Sequence, residues 1–154
     1  MAVGQWVLLA YRLPREPSTP RIALWRALRR LGAVQLLDGL VALPADARTR
    51  EQLEWLADEV AQAGGEASVW LAQPGSAAQE RALAARMQAE ATAEYRRIIE
   101  AARAAAPAAS RRTLGRLRRE LRRVRRRDYF RAAERELASA AVEDLTRRVE
   151  ERAA

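Results

Sequence analysis

Chain-breaking residues are distributed unevenly, and that distribution limits the fold more than any other feature. Eleven of the thirteen glycines and prolines lie at or before residue 75; beyond it only Pro107 and Gly115 remain. Glycine costs helices and strands entropy, and proline removes a donor and fixes φ. The first half is therefore cut into short elements, and the second half can form long ones.

Between the breaks, hydrophobic periodicity assigns the elements. Residues 5–13, QWVLLAYRL, are a nearly unbroken apolar run suited to a central strand, closed by Pro14 and Pro17. Ser18 or Thr19 can cap a helix that has Pro20 in its first turn and Gly32 just past its end. Leu24, Ala27, Leu28 and Leu31 share one face of it, and Ile22, Trp25 and Arg29 form a flanking stripe. Two short apolar runs around Asp38-Gly39 read as a hairpin. Thr49 and Gln52 have the spacing of a capping box for a second helix, which buries Leu53, Leu56, Ala57 and Val60 and ends at Gly64-Gly65. Residues 66–72 are a last strand. The order strand, helix, strand, strand, helix, strand predicts an α+β fold, a ferredoxin-like (βαββαβ) sandwich, because crossovers are right-handed.

After the QPGS stretch the period changes. Ser76 and Gln79 make a further capping box for a helix to about Ala106, with Leu83, Met87, Ala91, Tyr95, Ile98 and Ala102 along one side. Pro107 breaks it. Ser110 can cap a second long helix that reaches the C-terminus, carrying Leu114, Leu117, Leu121 and Val124 and then a weaker stripe of Leu137, Leu145 and Val149. The sequence thus divides into an α+β domain, residues 1–74, and a helical hairpin, residues 75–154, that packs on the sheet or on a second subunit.

Charge is concentrated in that hairpin. All 28 basic residues are arginine and the net charge is +8. Residues 111–127 hold ten arginines and one acid, Glu120. At 100° per residue Arg112, Arg116, Arg119, Arg123 and Arg126 fall along one side of a helix, with Arg122 and Arg127 beside them and the leucines opposite. Such a row suits the phosphates of DNA. Glu80, Glu90, Glu94 and Glu100 on the neighbouring helix are too few to neutralise it. A solvated amphipathic helix is the plainer reading. An anionic membrane surface suits it less, since the basic stretch has no Trp or Phe.

A second candidate site lies in YRLPREPSTPR, residues 11–21, where Arg12, Arg15 and Arg21 surround a helix start. Helix amides and guanidinium groups favour an oxyanion, but Pro20 removes one amide. A capped loop with solvated arginines accounts for the same residues. The four tryptophans, Trp6, Trp25, Trp55 and Trp70, suit a core or a homodimer interface better than base stacking. Arg127-Asp128-Tyr129-Phe130 reads as a packing anchor where the helix meets the sheet, with stacking by the two aromatics as the lesser alternative.

Several chemistries are excluded. Without cysteine or histidine there are no disulfides, thiolate nucleophiles, imidazole bases or common zinc sites. The carboxylates have no metal spacing and no glycine-rich phosphate loop follows a strand. No enzyme, metal or cofactor is expected. The opening MAVGQWVLLAYRLP lacks the basic start of a signal peptide, and no apolar run approaches a membrane span, so a cytoplasmic protein without membrane contact is expected.

The blocks LPREPSTPRIALWRALRRLGA, DGLVALP and EWLADEVAQAGGEA resemble the N-terminal domain of the ChrB chromate-resistance proteins. The likeness is tight over residues 6–72 and looser to about residue 130, where RRRDYF is similar to an arginine-aspartate-aromatic segment of the family. The resemblance implies a bacterial chromate-responsive regulator of an efflux gene. The sandwich is also similar to the Cas2-like domain of PaaX-type repressors. A nuclease of that kind needs an aspartate at the end of the first strand, and here the strand ends YRLP. ChrB proteins of the usual form carry a second domain, so a separate partner supplying it is a further expectation. The function expected from residues and resemblance together is a DNA-binding, dimeric transcriptional regulator that contacts phosphates through residues 111–127, with Arg26, Arg29 and Arg30 as additions. The other expectation is an accessory protein that binds chromate or another oxyanion, or an interaction module.

Overall fold

The computed structural model describes residues 4–154; residues 1–3, part of the stretch read above for a signal peptide, lie outside them. The chain forms two compact units, the first ending at Arg86 and the second running from Met87 to Ala154.

In the first unit, strand β1 (Trp6–Arg12) is followed by helix α1 (Thr19–Leu31), strands β2 (Val34–Leu37) and β3 (Leu40–Pro44), helix α2 (Ala47–Gln62) and strand β4 (Glu66–Ala72). The four strands form one antiparallel sheet in the order β2-β3-β1-β4. The unit is a mixed α+β fold with the most apolar strand near the centre. Val7 and Leu9 of β1 pair with Leu43 and Val41 of β3, and all four are at most 3% exposed. Leu24 and Leu28 of α1 and Leu53, Leu56 and Val60 of α2 complete this core.

Two glycines let strand ends approach other backbone. Gly39 has φ of 76° in the β2–β3 turn, and its carbonyl accepts from Tyr11 N at 2.8 Å. A Cβ there would stand 2.4 Å from the Tyr11 carbonyl oxygen, and one on Gly65 would stand 2.4 Å from that of Arg12. Any larger residue would push these strand ends apart.

The helix starts differ in detail from the sequence expectation. Helix α2 begins earlier than Thr49: the Asp46 side chain caps it by accepting from Thr49 N at 2.7 Å, and Asp46 N donates to Thr49 Oγ1 at 3.0 Å. The capping box is therefore Asp46–Thr49 rather than Thr49–Gln52. Ser18 precedes α1 without a side-chain cap.

Helix α3 (Ala77–Ala105) begins in the first unit and continues into the second. Ser76 Oγ accepts from Gln79 N at 3.1 Å, and Gln79 Oε1 accepts from Gly75 N at 3.2 Å. The reciprocal contact is thus displaced one residue upstream. Glu80 accepts from Gly4 N and from Trp6 Nε1, and Arg86 donates to the Gln35 carbonyl at 2.8 Å. These bonds fasten the first turns of α3 to the sheet.

The second unit is all helical. Helix α3 ends at Ala105; a short 3-10 turn at Ala106–Ala108, which holds Pro107, follows it, and then come helices α4 (Arg111–Arg126) and α5 (Glu134–Ala153). The single second helix expected to reach the C-terminus is therefore two helices. The break lies at residues 127–133, where Asp128 is buried and Arg131 has φ of 49°. Tyr95, Ile98, Leu117, Ala138 and Leu145 form the centre of the core, each at most 2% exposed. Among the described residues no helix is long and apolar enough to cross a membrane.

Candidate nucleic-acid interface

Helix α4 starts where Ser110 Oγ accepts from Thr113 N at 3.2 Å. Its leucines step by three and four, which keeps them on one side. Leu114, Leu117, Leu121 and Val124 are buried in the helical core. The opposite side is forced outward. Arg112, Arg116, Arg119, Arg122, Arg123 and Arg126 are all exposed. From Arg112 to Arg126 the row is about 21 Å long, at 1.5 Å per residue.

The partners of these arginines decide how much positive surface remains. Arg116 reaches Glu120 at 3.5 Å, a helical i,i+4 pair whose side chains are 56% and 40% exposed. Such pairs contribute little and are easily exchanged. Arg118 donates to Thr146 Oγ1 of α5 at 3.0 Å and keeps its charge. Among the described residues Arg112, Arg119, Arg122 and Arg123 make no ion pair. Arg127 stands apart from the row. It forms an ion pair with Glu94 of α3, both side chains only about a fifth exposed.

Two acids elsewhere in the second unit are committed to nearby arginines. Asp144 takes both Arg147 and Arg148, which hold its carboxyl below the ordinary range, and Glu134 accepts from Arg96 and Thr92. Beyond α4, Asp128 accepts from the Tyr95 hydroxyl at 2.9 Å and from Ala132 N at 3.1 Å. Burial and this bond to a carboxylate raise the Tyr95 phenol far above its usual range. The Arg127-to-Phe130 segment, expected where the helix meets the sheet, lies instead in the turn between α4 and α5, where Arg127 and Asp128 engage Glu94 and Tyr95 of α3.

The oxyanion candidates are dispersed in their engagements. Arg12 forms an ion pair with Glu66 on β4 at 2.9 Å, Arg15 is exposed in the loop, and Arg21 lies exposed in the first turn of α1. Arg21 opposes the rise in the Tyr11 phenol's pKa that burial and Asp38 cause. Of the tryptophans, only Trp6 is in the core, at 3% exposure, while Trp25, Trp55 and Trp70 are 58%, 68% and 60% exposed. Trp25 and Trp55 fall beside the buried leucine stripes of their helices.

A family model described as "Protein ChrB, N-terminal" matches residues 21–106. The chain belongs to the ChrB N-terminal family. Protein ChrB of Cupriavidus metallidurans is 39% identical to it over 66 residues, which are 43% of this chain and 20% of that relative. No solved structure matches the chain. The ChrB N-terminal match runs from the first turn of α1 to the end of α3 and stops before α4. The arginine row therefore stands on its own geometry and owes nothing to the family match.

Proposed function

We propose that the chain is a DNA-binding regulatory protein associated with chromate resistance, and that it contacts phosphates through the arginine face of α4. One observation carries the DNA reading: four exposed arginines of that face, Arg112, Arg119, Arg122 and Arg123, have no carboxylate partner among the described residues. Membership of the ChrB N-terminal family supports the association with chromate resistance. The antiparallel strand order β2-β3-β1-β4 and the two helical crossovers support reading the first unit as a ferredoxin-like scaffold. Guanidinium groups on a rigid helix can approach successive phosphates without losing core packing, because the leucines that fix the helix face away. Arg116 can release Glu120 to join them. Arg127 belongs to the internal structure on this reading, held by Glu94.

The test is affinity for a promoter-length duplex across a range of salt concentrations. Log affinity should fall linearly with log salt, by about 0.9 per phosphate neutralised. Replacing Arg119, Arg122, Arg123 and Arg126 by Ala should flatten that slope by up to about 3.6. Binding left unchanged by the four substitutions would remove α4 as the contact.

A further inference from the structure

The outward faces of α1 and α2 carry charge of opposite sign. Arg21, Arg26, Arg29 and Arg30 of α1 are exposed, and that helix has no acid. Glu51, Glu54, Asp58 and Glu59 of α2 are exposed, against Arg48 and Arg50. The helices thus sum to +4 and −2. Each also holds out a tryptophan. Trp25 is 58% exposed with the Arg29 guanidinium 5.1 Å from its ring centre, and Trp55 is 68% exposed with its indole N–H donating to Glu59 at 3.0 Å. Between the helices runs an open groove of about 430 Å³, with Ala27, Leu31 and Leu56 on its apolar side and Arg30, Glu51 and Trp55 along it.

We propose that this face binds a second copy of the chain. A closed dimer needs a surface complementary to itself. A two-fold axis along the groove, in the plane of contact, lays α1 of each copy on α2 of the other. The basic helix then meets the acidic one twice, and all four tryptophans of the two faces enter the contact. Aromatic residues in the middle of an interface supply much of its energy. An acidic partner of another kind would be drawn to α1 and repelled by α2, and a basic one the reverse. The second copy satisfies both helices at once. This interface uses residues of the first unit alone.

Sedimentation equilibrium on the full chain tests it, using two variants of opposite kind. One carries Arg26→Glu with Arg30→Glu, the other Glu51→Arg with Asp58→Arg. The native chain should sediment as a dimer at micromolar concentration. Each variant alone sets like charges together twice and should weaken dimerisation at least tenfold. An equimolar mixture of the two should recover the dimer mass, because each reversed helix then faces its complement. A chain carrying all four substitutions should also dimerise, so the result does not depend on one variant. Three outcomes overturn the proposal: a native chain that stays monomeric or prefers an acidic peptide, single-face variants that remain dimers, or a mixture that remains monomeric.

Discussion

Asp128 is 6% exposed, and its carboxylate holds two donors that would otherwise be buried without partners, the Tyr95 hydroxyl and the Ala132 amide. Asp128→Ala strands both and should lower stability by about 2–4 kcal/mol in urea unfolding. Tyr95→Phe leaves the amide bond intact and should cost about 1–2 kcal/mol. The phenol also gives a pH dependence with a definite sign. Its pKa is raised on folding, so its stabilisation is complete below the ordinary tyrosine value of 10.0 and is lost as pH rises above it. Stability should therefore decline above about pH 10, and Tyr95→Phe should flatten that decline. Arg127 is distinguished from its neighbours in the same way. Arg127→Ala should cost about 1–3 kcal/mol, since it leaves the sheltered Glu94 without this charge partner, while the DNA salt slope stays as it is. RRRDYF was legible as a packing segment but its partners were not, because Tyr95 is 33 residues away from Asp128 and sequence spacing does not report such a partner.

Helix α4 joins a buried apolar stripe to an exposed charged one, and both were legible because the 3.6-residue period acts within sixteen residues. Gly115, in its interior, is the exception to good helix composition. A Cβ there would meet only Arg119 Nη1, at 3.5 Å, an ordinary contact. Gly115→Ala should stabilise the unit by about 1 kcal/mol, measured by thermal unfolding. The sheet elements were legible for a related reason: Pro14, Asp38-Gly39 and Gly64-Gly65 each end an element locally. The break between α4 and α5 was not. It contains neither glycine nor proline, and a buried carboxylate forces the turn. The start of α2 failed differently, since Asp46 and Thr49 are both good caps and only the backbone decides between them. Exposure of Trp25 and Trp55 also lay beyond the pattern, which tells core from flank but not what covers the flank.

Charge separates the two units of the chain. The second holds 18 arginines against 11 acids, and the first 10 against 9. Location rather than total charge should then govern polyanion affinity. Replacing four arginines of α4 should weaken duplex binding far more than replacing Arg12, Arg15, Arg50 and Arg81 of the first unit, although net charge falls equally; comparable losses would make the binding a matter of overall charge. The row on α4 has an energetic corollary as well. Arginines at Arg112, Arg116, Arg119, Arg123 and Arg126 repeat every three or four residues, where like charges repel. The leucines beneath hold these neighbours together against that repulsion. A polyanion laid along the row relieves it, so the helical unit should melt higher with a duplex bound. Its resistance to heat would then report whether it is loaded.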